Sequence, residues 1–474
     1  MPRLVAGVDS STQSCKVLIV DADTGEVVRQ GRAAHPDGTE VNPEHWWTAL
    51  QDALAQAGGL GDVEAISIGG QQHGMVVLDS TGCVIRDALL WNDTRSADQA
   101  GELLGHFGEQ WLLEHTGSVP VASFTSTKLR WLAQNEPENA EKIAAVMLPH
   151  DWLSWRLAGF GGPDSPRGAE FSRSFTDRSD ASGTGYFNSQ TNSYVTEVLE
   201  FCLGGHTVES IYLPRVIAGD EVGEMVFGTS VAIAPGAGDN AGAARGLGLA
   251  AGDAVVSIGT SGTVFSVSED AGSGATEIAG FADTTGRFLP LACTLNAAQV
   301  LDRTAKLLGV SFDEFERLAL SAPAGSDGLM LLPFFQGERT PNLPRAKASW
   351  HGVTLENFTR ENVARASIEG ILLTLANALD LFRSTGRPVR TVKLIGGAAS
   401  NRAVQMVAAG LFGGSIEVPN GAEYVALGAA RQAAESIRVS TSGWKVAGSV
   451  IEAEPYDPAV LARFQQLVSA LEAD

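Results

Sequence analysis

Residues 6–20, AGVDSSTQSCKVLIV, read as strand, polar turn, strand. Leu4–Asp9 is apolar, Ser10–Ser14 is a hydroxyl-rich turn, and Lys16–Asp21 is apolar again. Beyond a second turn at Ala22–Gly25, Glu26–Ala34 alternates, so the chain opens as a meander of adjacent strands. Residues 255–267, VVSIGTSGTVFSV, repeat the pattern at low identity. There the strand is Ala254–Ile258, the turn Gly259–Gly262, and the second strand Thr263–Ser268. An internal duplication gives this pattern, and so do two unrelated β-hairpins. A duplication places a domain boundary near Gly246–Gly252. The stretch GLGLAAG at 246–252 misses the dinucleotide fingerprint, because its third glycine is late and no acidic residue follows at the right distance.

Outward from these hairpins, strands alternate with helices. Pro43–Ala55 reads as a helix, Val63–Ile68 as a buried strand, Gly69–Gly74 as a loop and Met75–Asp79 as a strand. Residues 95–160 read as helical, and Gly159–Gly185 as a long loop rich in Gly, Ser, Asp and Pro. Tyr194–Cys202 reads as another helix. In the second half Arg360–Ser384 is a long amphipathic helix closed by Gly386 and Pro388. Thr391–Ile395 is a strand, Arg402–Leu411 a helix, Ser415–Val418 a strand and Tyr424–Glu435 a helix. The alternation predicts an α/β architecture.

The 474 residues exceed one hydrophobic core and suit two to three domains. The formal charge of −22, with no basic stripe, argues against nucleic acid and against anionic membrane surfaces as partners. A nucleotide would need a local site of backbone N–H groups, helix ends and a metal ion. Cys15, Cys83, Cys202 and Cys293 lie in no CxxC pair and have no His at metal-ligand spacing. The expectation is reduced, mostly buried thiols in a cytoplasmic protein. MPRLVAGVDSS lacks the apolar stretch of a signal peptide, and no apolar run reaches membrane-spanning length.

The stretch GAGDNAG at 236–242 sets one carboxylate, Asp239, among glycines with Asn240 beside it. The glycines allow a sharp turn and a close ligand, and the small residues that follow can start a helix whose N-terminus favours anions. Such a carboxylate can take a proton from a hydroxyl; an N-cap Asp at a strand–turn–helix corner reads the same. Asp9 ends the first strand beside Thr12, Gln13 and Lys16, where a carboxylate can hold hydrated magnesium and the turn can hold phosphate oxygens. A turn-capping Asp is the plainer alternative. Gly259 and Thr260 belong to the matching turn of the second half, suited to a phosphate cradle or to an ordinary β-turn. Gly397 allows a flat ligand to approach, and Asn401 can hydrogen-bond a base or ribose; tight strand-to-helix packing also needs glycine. Gln72 and His73, between Gly70 and Gly74, suit hydroxyl recognition, since each can donate and accept. Trp91 adds an aromatic face with polar neighbours, or is core.

These pieces come in one order: DSSTQSCK, GQQHGMVVLD, LLWNDTRS, GAGDNAGA, SIGTSGT, GERTP and IGGAASN. That order resembles the FGGY carbohydrate kinases, and most of all the xylulokinases among them, from Val5 to about Gln432. SFTSTKLRWLAQN at 123–135 and GGAASNRAVQMVAAGLFGGSIEVP at 396–419 fit the two family signatures. The resemblance implies two actin/hexokinase-type (ribonuclease H-like) domains with a cleft between them, 1–246 for the sugar and 247–474 for ATP. It implies an ATP-dependent, Mg2+-assisted kinase for a ketopentose such as D-xylulose. Asp239 is then the general base, and Asp9 the second catalytic carboxylate and metal ligand. Gln72, His73, Trp91 and Asn240 fall at the sugar. Thr12, Gln13, Lys16, Gly259 and Thr260 fall at the phosphates, and Gly397 and Asn401 at the adenosine. A homodimer is also implied. Two departures bear on the sugar: Gln72 stands where many xylulokinases have Met, and Val119–Phe124 lacks an arginine that some relatives place there.

Overall fold

Every residue of the strand Leu4–Ser10 is buried because it is central in its sheet. It pairs antiparallel with Ser14–Asp21, setting Asp9 opposite Lys16, and parallel with Val63–Gly70. The computed structural model describes residues 2–204, 210–272, 274–421, 423–453 and 456–472. The chain forms two compact units. One is Met1–Leu249 with Gly280–Leu289 and Glu423–Lys445; the other is Ala250–Ala279, Pro290–Ala422 and Val446–Asp474.

In the first unit the sheet order is Val27–Ala34, Ser14–Asp21, Leu4–Ser10, Val63–Gly70, Ala232–Ile233, Glu224–Met225, and Ala237–Gly238 also pairs with Val63–Gly70. In the second unit Gly262–Ser266 pairs antiparallel with Asp253–Ile258, which pairs parallel with Thr391–Ile395, and that strand parallel with Ile416–Pro419. Each sheet therefore has a hairpin whose first strand lies beside a later parallel strand, itself flanked by another parallel strand. Two unrelated hairpins have no reason to share that order, so the repeat in the sequence is a repeat in topology.

Helices close on the sheets where small residues let them. The helix Pro43–Gln56 is capped by Asn42 and buries Trp46, Leu50 and Ala53. It lies so close to Val27–Ala34 that a Cβ on Gly31 would sit 2.0 Å from the Ala53 carbonyl oxygen. The helix Tyr424–Ser436, late in the chain, packs on the first strand and on the short helix Asp239–Gly246. A Cβ at Gly246 would meet Tyr424 O at 2.0 Å, and one at Gly428 would meet Gly242 O at 1.9 Å. The glycines after Asp239 thus serve a helix crossing at backbone contact as well as the turn before it.

In the second unit the helix Arg360–Ser384 is buried along most of its length and centres a core that includes Leu332, Phe334, Leu394 and Phe464. Its buried charges pair with each other, Arg365 Nε donating to Glu369 Oε1 at 2.7 Å.

Three expectations need correction. Residues 95–160 include the strand Ala145–Met147, which pairs with Val76–Leu78. Residues 159–185 contain a strand at Phe175–Thr176 and a helical turn at Arg178–Ala181, capped by Asp177. The composition read as loop because Asp and Ser there serve as caps. Of the four free thiols, Cys15 and Cys202 are buried, Cys293 is partly buried and Cys83 is exposed. Among the described residues no helix is long and apolar enough to cross a membrane.

Candidate active site

Asp239 opens its helix directly after the strand residues Ala237–Gly238. Its Oδ1 accepts from the Asn240 backbone N–H at 2.7 Å and from Asn240 Nδ2 at 2.8 Å. The residue as a whole is half-buried. Burial pushes its pKa up to about 7, with the charge on Asp9 adding to the rise and the Asn240 hydrogen bonds opposing it. A carboxylate poised there can act as a proton acceptor at neutral pH.

The approach to Asp239 is held from below. Gln432 takes the Gly236 N–H at 3.0 Å and gives Nε2–H to Gly236 O at 2.8 Å, while Ser67 Oγ donates to the same Oε1 at 2.6 Å. The Gly238 N–H donates to Ser179 Oγ at 3.2 Å. Under Gly236 lies His150, so close that a Cβ on Gly236 would stand 2.1 Å from its Cδ2. His150 is fully buried; its Nδ1 is 2.7 Å from Asp180 Oδ2 and its Nε2 is 3.2 Å from Asp151 Oδ1. Burial disfavours its charge, yet Asp151, Asp180 and Asp177 hold its pKa up at about 9. None of Gln432, His150, Asp151 and Asp180 was legible as part of this support. The only sequence signal was polar residues, PHD at 149–151 and SD at 179–180, inside segments that otherwise look apolar or loop-like.

Gln72 and His73 follow the strand Val63–Gly70. Gln72 Oε1 accepts from Asn240 Nδ2 at 3.2 Å, which joins the sugar-loop candidate to the neighbour of Asp239. His73 has φ +68°, a left-handed backbone for a residue with a side chain, at a cost of about 1–2 kcal/mol. Its Nδ1 is 2.5 Å from Gly183 O; a carbonyl only accepts, so Nδ1 carries the proton. Its ring packs against Phe124 and Phe281, with centroids 4.8 and 5.7 Å away, and those two rings also touch each other at 6.0 Å. Trp91 is 43 % exposed, which excludes a core role, and its Nε1–H donates to Thr12 Oγ1 at 2.8 Å.

Asp9 is 5 % exposed, and burial lifts its pKa to about 6. Its Oδ2 is 3.4 Å from Lys16 Nζ, but Lys16 lies nearer to Glu423, at 2.7 Å. Glu423 therefore shares the lysine, a contact that no local pattern could give across four hundred residues. Thr12 is half-buried in the turn, and Gln13 at its apex is exposed. Among the described residues no group of three or more His, Cys, Asp or Glu side chains forms a metal cage. Magnesium carried with phosphates needs only one or two carboxylates besides water. Asp9 Oδ1, buried and without a hydrogen-bond partner among the described residues, fits that demand.

In the second unit, a cavity of about 490 Å³ brings Gly259, Thr260, Gly397 and Asn401 together. Asn401 also caps the helix Arg402–Leu411, accepting from Val404 N. Leu301, Phe312, Asp313 and Glu316 line the same cavity, and sequence reasoning missed them. The one available signal was Phe312, an apolar residue placed directly after the helix-capping Ser311 and left half exposed.

Comparison with known proteins identifies the family. Residues 4–246 match the N-terminal domain of the FGGY family of carbohydrate kinases, and residues 254–437 match its C-terminal domain. This chain belongs to the FGGY family of carbohydrate kinases. It has the two-domain α/β fold of that family, and it is an ATP-dependent carbohydrate kinase. It is 43 % identical to a xylulose kinase of Streptomyces rubiginosus, over 98 % of this chain and 96 % of that one. It is 44 % identical to the xylulose kinase of Bifidobacterium adolescentis, whose crystal structure superposes with a TM-score of 0.93 over 98 % and 99 % of the two chains. A gluconate kinase from Lactobacillus acidophilus, at 21 % identity over 99 % and 97 % of the two chains, shares the fold with a TM-score of 0.86. The fold alone therefore does not choose the sugar.

Proposed function

We propose that this FGGY kinase phosphorylates a ketopentose, converting D-xylulose and ATP to D-xylulose 5-phosphate and ADP. One observation carries the reading: Asp239, raised to about 7, lies beside an amide pair, Asn240 and Gln72, suited to a sugar hydroxyl. Asp239 takes the proton of the attacking hydroxyl as its oxygen bonds to the γ-phosphorus and the bond to the ADP oxygen breaks. Gln72, His73, Trp91 and Asn240 orient the ketose. Thr12, Gln13, Lys16, Gly259 and Thr260 meet the phosphates, and Gly397 and Asn401 meet the adenosine. Asp9 would hold Mg2+ through Oδ1, and the ion would draw off phosphate charge. Residues 1–246 hold the sugar and the base, and residues 247–474 hold the adenosine of the nucleotide. Names of relatives support xylulose, and the resemblance supports a homodimer in the cytoplasm.

ADP formation coupled to a visible signal, over xylulose, ribulose, a deoxyketose, gluconate and glycerol, tests this. The highest kcat/KM is expected for xylulose. A preference for gluconate or glycerol would overturn the substrate, and ADP formation indifferent to every sugar would overturn the kinase reading of the site.

A further inference from the structure

Lys128, on the helix Thr125–Asn135, is 0 % exposed. No carboxylate lies within ion-pairing distance of it among the described residues. Its Nζ donates at 2.8 Å to the main-chain oxygen of His73. Burial drives its pKa well below the ordinary lysine value, although the charge of Asp93 opposes this. The same oxygen accepts from Thr125 Oγ1 at 3.2 Å. A buried amine is costly where methionine would fill the volume without a polar group. Here two donors from one helix turn converge on the carbonyl of the residue whose backbone is left-handed.

The ring and the backbone of His73 are thus held separately. Phe124, Phe281 and Gly183 fix the ring, and Thr125 and Lys128 fix the peptide. Releasing the peptide would let His73 return to an ordinary φ, which turns its imidazole and the preceding Gln72 amide away from their present directions. We infer that Lys128 is a positioning residue: its amine locks the His73 carbonyl and thereby presents the loop Gly70–Gly74 to the ketose. The inference rests on the sugar-kinase reading of this loop.

Lys128→Met in the full-length enzyme tests it, with ketose KM, ATP KM and thermal midpoint measured together. The ketose KM is expected to rise about ten-fold while the ATP KM stays within two-fold. The midpoint should hold or rise, since an apolar chain replaces a buried amine. A ketose KM equal to wild type, or equal rises in both constants, would overturn the role. A double-mutant cycle gives a readout that a merely structural lysine would not move. In a His73→Gly background the left-handed backbone carries no strain, so Lys128→Met should change ketose KM by less than two-fold. A full ten-fold effect there would overturn the inference. Should Lys128→Met not fold, Thr125→Val removes the other donor to the same oxygen, and the same cycle applies with a smaller expected rise. A wild type inactive on every ketose defeats the sugar-kinase reading; an active wild type with an indifferent Lys128→Met defeats only the role of Lys128.

Discussion

Asn240 Nδ2 lies 3.2 Å from Gln72 Oε1 and 2.8 Å from Asp239 Oδ1, so one amide ties the candidate sugar loop to the candidate base. A methionine at position 72, the residue many xylulokinases carry, offers no comparable acceptor. Gln72→Met therefore frees one side of Asn240, a loss of ~1 kcal/mol in the tether. The expected outcome is a change of roughly three- to ten-fold in the ratio of kcat/KM for xylulose over ribulose, with the ATP KM unaffected. An unchanged ratio would remove Gln72 from sugar selection.

Asp239→Asn keeps the shape of the side chain and its helix-terminal position but cannot accept the proton. Turnover should fall by ~10²–10⁴-fold, while ketose binding, followed by tryptophan fluorescence, stays within a few-fold. Turnover near that of wild type would end the case for Asp239 as the base.

The pH dependence follows from the same group. A base works deprotonated, and the pKa of Asp239 is about 7, chiefly through burial. The kcat/KM for ketose should fall as pH drops below about 7 and level off above it. The stability sign is opposite. A carboxyl whose folded pKa lies above its unfolded value contributes stability at low pH that is lost as pH rises from about 4 through about 7. Relative to wild type, Asp239→Asn should therefore gain stability at pH 8 over pH 5, read from urea midpoints. A rate profile flat down to pH 5.5 would contradict the assignment.

Periodicity and turn chemistry carried most of the fold, because these elements are fixed by local pattern. Thr391–Ile395 and Arg402–Leu411 fall at the limits their sequences indicate. Residues 159–170 are the loop their composition indicates, but 175–181 did not yield, since Asp177 caps the turn Arg178–Ala181 and Ser179 and Asp180 are buried. Most motif residues of the candidate site were legible because they sit at a strand end, a tight turn or the start of a helix. Their supports were not. Gln432 reaches Gly236 across 196 positions, and Lys128 reaches His73 across 55, with nothing local to mark either contact.

Two adjacent glycines differ in what they serve. Gly396 has φ +95°, and a Cβ there would stand 2.6 Å from the Ile258 carbonyl oxygen, so the fold requires it. Gly397 has an ordinary φ, and an added Cβ would meet nothing within 4 Å, because the position faces the cavity shared with Asn401. Gly397→Val should leave the thermal midpoint within a few degrees yet raise the ATP KM by about ten-fold or more through lost space. Unaltered ATP KM would show that the nucleotide does not pass over Gly397.

His150 tests whether the support under Asp239 is ionic. It lies fully buried between Asp180 and Asp151, and its pKa of about 9 keeps it charged at pH 8. His150→Leu fills the space but leaves two buried carboxylates without their cation, which costs about 3–5 kcal/mol. The cost should shrink toward pH 5: burial already raises Asp151 to about 7 and Asp180 to about 6 with the imidazole opposing the rise, so without it both carboxyls hold protons more tightly still and the variant gains more from protonation on the way down. Urea midpoints of the pair at pH 8 and pH 5 give the comparison. Turnover should fall as well, since the Gly236 backbone that leads to Asp239 rests on the imidazole edge, while the ATP KM stays put. A variant as stable as wild type at pH 8 would mean that the cluster is held by packing rather than by charge.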